Sequence, residues 1–402
     1  MTRTVDAASP YLSKCGRCGA CSEYCPSAAK LGVKLDDVLH RFYESPSRDS
    51  GNEAIVRKWA YGCVSCGRCG TCPRDADLPF QHLLARADLA LRGWKPPASA
   101  ALMGSAWKYR VFRGFFNEHV PASLRERVRS RSYRGDPKDV VFFTGCGVQA
   151  LHNDLANCLD AFDAVPGLDY GVVRGTENWA CCGAIDVMGG NFEQARRVMG
   201  NLHAQLKRFR ARTVVVYCAT CYTGLSKLVP AAYSVNYEVV HATKFLAERL
   251  DEVEFATEVG RVVTVHDSCH LSRVGGEVRG QRELLRKLPG VSFREMKHHG
   301  KDAICCMVGA KLPPGRHAVL EEARAAGATT LCTLCPGCHV NLRLSSRFQD
   351  DVEVRSWPSL FCEALGIRRR DSLRALVGER RGRLRALNSL LRGLGRKKFG
   401  DP

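Results

Sequence analysis

Twenty-one cysteines, and above all their spacing, constrain this chain more than any other feature of its sequence. A first group follows the pattern C-x2-C-x2-C-x3-C-P and contains Cys15, Cys18, Cys21 and Cys25. A second group follows C-x2-C-x2-C-x2-C-P and contains Cys63, Cys66, Cys69 and Cys72. Soft thiolates at this spacing can wrap one face of an inorganic cubane, and they are typical ligands of [4Fe-4S] clusters. The two groups therefore predict an iron–sulfur protein.

The fourth cysteine of such a group, followed by proline, usually binds the other cluster of a two-cluster domain. We therefore expect one cluster to be bound by Cys15, Cys18, Cys21 and Cys72. We expect the other to be bound by Cys63, Cys66, Cys69 and Cys25. The last spacer of the second group is one residue short, which leaves open whether Cys72 is a ligand or alters the geometry of its cluster. Together the groups predict a helical, ferredoxin-like domain with two [4Fe-4S] clusters over residues 1–95.

Zinc is the alternative metal for cysteine groups, and it favours C-x2-C pairs that lie about 15–20 residues apart. Four cysteines within eleven residues, followed by proline, fit that pattern poorly. A zinc-ribbon protein that binds nucleic acid would use the net charge of +19. It would, however, leave the adjacent cysteine pairs of the second half without a role.

The rest of the composition narrows the class of protein. There is no apolar run long enough for a transmembrane helix, and no apolar segment precedes Cys15, so we expect a cytoplasmic protein. In that reducing compartment thiolates held by metal are expected rather than disulfides. The excess of Lys and Arg predicts an acidic partner: an acidic protein, an anionic membrane surface or nucleic acid.

Residues 96–138 are rich in arginine and proline, which predicts a basic linker between domains. Two interpretations fit its aromatic residues. They can stack on nucleic-acid bases beside the basic side chains. They can also form the apolar face of an amphipathic helix that packs on the body of the protein, and we favour this second interpretation. The aromatic residues are Trp107, Tyr109, Phe112, Phe115 and Phe116.

The remaining sequence repeats itself, once over residues 139–255 and again over 256–367. In each repeat an apolar strand ends in a cysteine, an adjacent Cys-Cys pair follows, and a second apolar strand runs into a C-x2-C turn that opens a helix. Strands alternating with helices predict a parallel α/β unit used twice, with the cysteines at the carboxyl ends of the strands. The first set is Cys146, Cys181, Cys182, Cys218 and Cys221. The second set is Cys269, Cys305, Cys306, Cys335 and Cys338.

Five thiolates are one more than a tetrahedral zinc site or an ordinary cubane uses, which favours a larger inorganic group in each repeat. Three cysteines remain. Cys332 extends the last motif and can compete for a ligand position. Cys158 and Cys362 lie in apolar helical contexts, where we expect small buried side chains rather than ligands.

The second half resembles the cysteine-rich CCG domain of heterodisulfide reductase. With the ferredoxin-like segment in front, residues 12–365 resemble the fused, heterodisulfide-reductase-D-like proteins. These are related to the iron–sulfur subunits of glycerol-3-phosphate dehydrogenase and glycolate oxidase. The resemblance implies that a five-cysteine set binds a noncubane [4Fe-4S] cluster, and that two such clusters together cleave a disulfide. In other members the domain relays electrons from a flavoprotein to a quinone.

The two repeats match this family unequally. The first repeat has the family's Cys181-Cys182-Gly183, whereas Met307 replaces the glycine in the second. We therefore expect a noncubane cluster in the first repeat, and a second noncubane cluster or a variant site in the second.

Several polar residues flank the second cysteine set. Histidine titrates near neutrality, so one of these histidines, with His270 as the main candidate, can protonate a thiolate that leaves a cluster-bound disulfide. The commoner role is a hydrogen bond to the loop backbone. His339 can tune a cluster or simply begin a helix. The other flanking residues are His266, Asp267, His298 and His299.

The chain has no G-x-G-x-x-G or Walker motif, so we expect no flavin in it and predict electron exchange with a flavoprotein or other redox subunit. Residues 368–402 predict a basic amphipathic tail that lies on an anionic membrane, near a cytochrome or quinone, or packs on the body. The overall prediction is an α+β and α/β chain that works in electron transport. It passes electrons through two [4Fe-4S] clusters to CCG clusters that reduce or oxidise a disulfide or thiol. The alternative is an electron relay between a flavin-dependent dehydrogenase and a membrane quinone.

Overall fold

The computed structural model of the chain describes residues 13–44, 50–63, 65–70, 72–91, 93, 107–306, 315–346, 351–371 and 373–374. Met307 lies outside these residues, as does the predicted tail apart from its first few residues.

The N-terminal part is a small helical domain around its own core. Cys25 caps the helix that begins at Pro26, its sulfur accepting a hydrogen bond from the Ala28 amide at 3.4 Å. Apolar residues such as Leu39 and Trp59 are buried between the helices. The helices are α1 Ala20–Glu23, α2 Pro26–Leu31, α3 Leu35–Glu44, α4 Ser50–Gly62 and α5 Leu78–Leu91.

Two helices follow, α6 Trp107–His119 and α7 Ala122–Ser130. Their apolar residues Tyr109, Phe116 and Val128 are buried against the first sheet. The guanidinium carbon of Arg174 lies 4.1 Å from the centroid of the Phe116 ring. This part of the predicted linker therefore packs on the body of the protein, as the amphipathic alternative requires.

The first repeat is a parallel four-stranded sheet in the order β2-β1-β3-β4. Almost all the residues of the first three strands along the chain are buried, as expected for a sheet that helices cover, whereas the two valines of the fourth strand are half-buried. Its strands are β1 Val140–Phe143, β2 Tyr170–Val173, β3 Thr213–Val216 and β4 Glu238–His241. Its helices are α8 His152–Asp163, α9 Ala184–Met188, α10 Phe192–Phe209, α11 Ala219–Thr223, α12 Val229–Ala232 and α13 Ala242–Ala247.

The second repeat has the same strand order, β6-β5-β7-β8, and is also parallel. The prediction of a parallel α/β unit used twice is therefore confirmed. Its strands are β5 Arg261–His266, β6 Val291–Phe293, β7 Thr330–Thr333 and β8 Glu353–Ser356. Its helices are α14 Gly280–Lys287, α15 Gly315–Ala325, α16 Pro336–Ser345 and α17 Trp357–Ala364.

The two repeats share one apolar core, in which α8 packs on α17 and α13 on α14. Buried polar groups join them at the carboxyl ends of the strands. One ring nitrogen of His241 (Nε2) lies 2.7 Å from the Tyr217 carbonyl in the first repeat and 3.0 Å from the Leu334 carbonyl in the second. The Asp154 carboxylate accepts hydrogen bonds from Tyr217 at 3.0 Å and from Ser356 at 2.8 Å. These contacts place the ends of β3 and β7 side by side.

Candidate metal centres

Four of the predicted cluster ligands surround one cavity in the N-terminal domain. This cavity of about 340 Å³ is lined by Cys25, Cys63, Cys66 and Cys69. Burial raises the pKa of the Cys63 thiol to about 12. The pKa of Cys69 is also raised by burial, and by the neighbouring cysteines. Thiols in such a place ionise when a metal replaces their protons, and four soft thiolates around a cavity fit a [4Fe-4S] cluster.

The other N-terminal set, Cys15, Cys18, Cys21 and Cys72, is less enclosed, with Cys18 exposed and Cys21 buried. Contacts beside these cysteines bring the two motifs together. Lys14 donates a hydrogen bond to the carbonyl of Asp75 at 3.3 Å. A Cβ atom at Gly16 would lie 2.5 Å from the guanidinium carbon of Arg74. The chain around the first motif therefore lies on the segment that follows Cys72. Whether Cys72 binds iron stays a prediction.

The five cysteines of the first repeat lie together in one cluster, with Cys218 packed against the other four. Cys181 is hydrogen-bonded to the thiols of Cys146 and Cys182. Cys221 is hydrogen-bonded to Cys182 and Cys218. The hydrogen bond from Cys146 and then that from Cys182 hold the pKa of Cys181 well below its usual value. The hydrogen bonds to Cys182 and Cys218, together with burial, raise the pKa of Cys221 well above its usual value. The set therefore cannot ionise fully without a cation, and its five soft donors fit a metal–sulfur group.

The adjacent pair of the first repeat depends on the glycine that follows it. Gly183 has a φ of 71°, in the left-handed region that favours glycine. A Cβ atom there would lie 2.6 Å from a side-chain carbon of Met199. The Cys-Cys-Gly sequence therefore has a local structural reason in this repeat.

The second set is packed in the same way. The sulfurs of Cys269 and Cys305 are 3.6 Å apart, and those of Cys306 and Cys338 are 3.3 Å apart. Cys335 is hydrogen-bonded to Cys338 within the C-x2-C turn. The ring of His266 reaches this set as well, and its ligand atoms and those of Cys306 and Cys338 all lie within 4.8 Å of one another. The sequence analysis named His266 only as one of several histidines that could donate a proton, and it did not predict that His266 lies next to this pair.

One side chain in each repeat ties the end of the first strand to the loop that carries the Cys-Cys pair. In the first repeat, Thr144 accepts a hydrogen bond from the Gly175 amide at 3.0 Å. In the second, Asp267 accepts one from the Gly300 amide at 2.5 Å. Asp267 also binds both terminal nitrogens of Arg282, at 2.7 and 2.9 Å. Burial opposes ionisation, but the hydrogen bonds and charge of Arg282 outweigh it, so the pKa of Asp267 is lowered.

The two cysteine-rich sites meet each other. The sulfurs of Cys218 and Cys335, which begin the C-x2-C turns of the two repeats, lie 3.6 Å apart. This contact follows from the packing of β3 beside β7 and could not be read from spacing. It joins the two cysteine sets into one group, in which all the cysteines are buried except the half-buried Cys218 and Cys269.

The ferredoxin-like domain contacts the second site through the loop that carries Cys66. Cys66 packs against Cys305 and Cys269. Arg273 donates to the Cys66 carbonyl at 3.2 Å and to the Ala303 carbonyl at 2.5 Å. The loop approaches so closely that a Cβ atom at Gly67, whose φ is 73°, would lie 2.8 Å from the side chain of Val274. Cys66, a predicted ligand of the second N-terminal cluster, thus lies against the second cysteine set.

In the first repeat the corresponding position is occupied by a phenol. The hydroxyl of Tyr109, from α6, donates to the carboxylate of Asp186 and is hydrogen-bonded to Cys181. The sequence indicated only a packing or stacking role for Tyr109, because nothing in its local pattern pointed to a contact with the cysteines.

The other histidine candidates have protein partners. His270 has both ring nitrogens hydrogen-bonded: Nε2 lies 3.0 Å from the Ser65 carbonyl and Nδ1 lies 3.1 Å from the Thr220 hydroxyl. It therefore holds the ferredoxin loop, and a catalytic role for it stays a prediction. The remaining candidates bind elsewhere: His298 to Glu322, His299 to the Met296 carbonyl, and His339 to Thr333.

The three extra cysteines are fully buried. Cys332 lies within strand β7, and burial alone raises its pKa. Cys362 donates to the Asn157 carbonyl at 3.3 Å, and Cys158 lies on the same helix, α8, as Asn157. These contacts support the expectation that Cys158 and Cys362 are core residues.

A second cavity, of about 460 Å³, lies where the ferredoxin-like domain and both repeats meet. Its wall is mostly apolar, and His270, which follows Cys269 in the sequence, is one of the residues that line it. Lys227 and Asp77, which also line it, form an ion pair at 3.5 Å.

Comparison with known protein families agrees with this architecture. Residues 14–77 match a 4Fe-4S dicluster domain, and residues 140–226 and 263–343 each match a cysteine-rich domain, CCG. The chain is thus an iron–sulfur protein in which a 4Fe-4S dicluster domain precedes two CCG cysteine-rich domains.

Curated relatives narrow this class further. The chain is 26% identical to the D component of the CoB–CoM heterodisulfide reductase of Methanosarcina barkeri over 399 residues, 89% of this chain and 94% of that protein. It is 24% identical to a probable glycolate oxidase iron–sulfur subunit of Bacillus subtilis, over 83% of this chain and 77% of that protein. It is also 24% identical to an EtfAB:quinone oxidoreductase of Syntrophomonas wolfei, over 78% of this chain and 49% of that protein. The chain is an iron–sulfur oxidoreductase subunit related to the D component of heterodisulfide reductase, and the predicted resemblance is confirmed.

Among the residues that the structure describes, no helix combines the length and the apolar character needed to span a membrane.

Proposed function

We propose that this subunit passes electrons through two [4Fe-4S] clusters to noncubane clusters in its CCG domains, which reduce or oxidise a disulfide or thiol substrate. The observation that carries the proposal is the unbroken contact between ligand sets. Cys66 packs against Cys305, and Cys335 lies 3.6 Å from Cys218. Electrons that reach the second N-terminal cluster can therefore pass to the second cysteine-rich site and from there to the first.

The proposed disulfide reduction balances in electrons and protons. Reduction of a disulfide breaks one S–S bond, consumes two electrons and two protons, and releases two thiols. The bound clusters supply one-electron carriers and iron with affinity for sulfur. The chain supplies the thiolates of the cysteine-rich sites, the cavity of about 460 Å³, and the imidazole of His270 that lines it. In this proposal the cavity admits the substrate and His270 supplies a proton.

A second candidate function is an electron relay between a flavin-dependent dehydrogenase and a membrane quinone. The observation that favours it is the relative named EtfAB:quinone oxidoreductase, whose aligned region covers 78% of this chain. In both cases we propose a flavoprotein or other redox subunit as partner, because the motifs of the chain provide no flavin site of its own.

The decisive experiment uses chain purified and assayed without oxygen. More than about eight irons per chain, with a paramagnetic signal unlike that of a [4Fe-4S] cubane, is expected if CCG clusters are present in addition to the two ferredoxin clusters. Chain reduced with a viologen dye is then mixed with a disulfide or with a quinone analogue. Reoxidation by the disulfide supports the first function, and reoxidation by the quinone alone supports the second. Eight irons or fewer, without the unusual signal, would overturn the noncubane assignment.

Two variants assign the extra iron to the sites. Cys182→Ser removes one of five ligands in the first repeat, so it should reduce iron and alter the unusual signal. Cys158→Ala is the matched control, because Cys158 is also buried but lies on α8 in the apolar core. It should keep wild-type iron and signal.

A further inference from the structure

His266 is a buried histidine whose ring has no hydrogen-bond partner among the residues that the structure describes. It is the last residue of β5 and is 1% exposed. Within the described part of the chain, neither ring nitrogen has a hydrogen-bond partner. A buried polar atom without a partner is destabilising, so such atoms in native proteins usually have a partner such as a water molecule or an ion. His241, also fully buried, shows the ordinary alternative, since both of its ring nitrogens are hydrogen-bonded.

The side chains closest to the unpaired ring of His266 are typical metal ligands. Its ligand atoms and the sulfurs of Cys306 and Cys338 lie within 4.8 Å of one another, and all three residues are buried. They come from three separate segments: the end of β5, the Cys-Cys loop and α16. Two thiolates and one neutral imidazole are a donor set that suits zinc and thiophilic iron.

The first repeat has a different residue at this position. Phe143 is the last residue of β1 and pairs with Val216, two residues before Cys218. His266 pairs with Thr333, two residues before Cys335, and is therefore its structural equivalent. Phe143 is fully buried in the apolar core around the first cysteine set. The same place in the fold accepts an apolar ring, so the sheet itself does not require an imidazole.

We propose that His266 is a metal ligand at the second site, where its imidazole joins Cys306 and Cys338 in a mixed nitrogen–sulfur centre. The metal is a thiophilic divalent ion or the iron of the cluster. The first site, with Phe143 at that position, has thiolates only in this part of its ligand shell. The inference rests on the proposed function in one respect, namely that the second site binds metal.

The experiment compares anaerobically purified full chain with the same chain labelled with ¹⁵N-histidine. For a paramagnetic iron site, pulsed electron paramagnetic resonance is expected to show a histidine nitrogen coupling that changes with the label. For a zinc site, metal analysis is expected to find zinc, and X-ray absorption to find a nitrogen neighbour at about 2.0 Å beside sulfur at about 2.3 Å. A metal with sulfur neighbours alone, or a second site without metal, overturns the proposal.

The variant His266→Phe places the residue of the first repeat in the second. It should remove the nitrogen signal and lower the metal affinity of the second site at least tenfold, while the signal of the first site is retained. His203→Phe is the control, because His203 stacks on Tyr233, with ring centroids 5.3 Å apart, in the first repeat. It should keep the nitrogen signal. Retention of the signal in His266→Phe overturns the assignment.

Failure of this inference and failure of the proposed function give different results. An all-sulfur second site in a chain that still reacts with a disulfide or quinone removes only the inference. A nitrogen-ligated second site in a chain that reacts with neither removes only the proposed function. The labelled wild-type measurement does not depend on any variant folding.

Discussion

The hydrogen bonds of Asp267 give a quantitative prediction about the second site. Its side chain is completely buried, and it accepts hydrogen bonds from Arg282, Gln281 and the Gly300 amide. The variant Asp267→Asn keeps the shape of the side chain but removes its charge. It leaves Arg282, which is 12% exposed, with the half-buried Glu295 as its remaining anionic partner. The Asn amide group also directs a donor at groups that donate.

The expected cost is large because one partner of a buried ion pair is removed. Such changes typically cost about 3–5 kcal/mol. The control, Thr144→Val, removes a neutral hydrogen bond at the equivalent place in the first repeat, which costs about 1 kcal/mol. The two variants therefore differ in charge while they disturb equivalent loops.

Hydrogen exchange measured by mass spectrometry tests this locally. Since 1.36 kcal/mol corresponds to a factor of ten, amides between Gly300 and Cys306 should exchange at least about a hundredfold faster in Asp267→Asn. Amides between Gly175 and Cys182 should exchange about fivefold faster in Thr144→Val. A lowered pKa means that the stabilisation from Asp267 is fully present above the unfolded value of about 3.9 and is lost only as the pH falls through the folded pKa. The difference between wild type and variant should therefore be constant from pH 6 to 8.

Equal protection of the second loop in wild type and Asp267→Asn would refute this reasoning. So would a difference that disappears between pH 8 and pH 6, because Asp267 would then already be protonated in the folded protein.

Three other contacts give predictions of their own. Gly183→Ala should lower the iron content of the chain, because the new Cβ would collide with Met199 beside the first cysteine set. Gly276→Ala is the control, since Gly276 has a similar φ of 75° but open space around it, and this variant should keep its iron. Equal iron content in the two variants would contradict this prediction. Arg273→Gln should weaken the contact between the Cys66 loop and the second repeat by about 1.5–3 kcal/mol, because it removes hydrogen bonds from a charged donor. Electron transfer to the CCG domains should then be slower when it is followed by rapid-freeze spectroscopy, and an unchanged rate would contradict this prediction. Burial raises the pKa of the Cys63 thiol to about 12. In metal-free chain the stabilisation from the neutral thiol is therefore fully present below about pH 9 and is lost as the pH rises towards 12. Circular dichroism should show unfolding in this pH range for chain treated with a chelator and none for metal-loaded chain.

Local pattern was sufficient for much of this architecture. The alternation of apolar strands and helices predicted a doubled parallel unit, and the sheets have it, with Cys146 and Cys269 just beyond the ends of β1 and β5. These features depend on residues close together in sequence, which is why spacing reveals them.

Contacts between distant segments could not be predicted in the same way. The 3.6 Å approach of Cys218 to Cys335 depends on how two complete sheets pack. The contact of Cys66 with Cys305 depends on the docking of a third domain. His266 drew notice as a titratable group beside a cysteine. Its position against Cys306 and Cys338 depends on how the end of β5, the Cys-Cys loop and α16 come together in the folded domain.

The meeting of Cys218 with Cys335 has an evolutionary consequence. These cysteines are equivalent in the two repeats, and equivalent groups in contact are the mark of an isologous dimer interface. Two identical subunits joined in this way would be obliged to keep both halves the same. Fusion into one polypeptide lifts that obligation. Cys305 can face Cys66 of the ferredoxin-like domain, while its counterpart Cys181 faces the phenol of Tyr109. The duplicated chain thus has two distinguishable ends, a polarity that a symmetric dimer of single repeats could not encode.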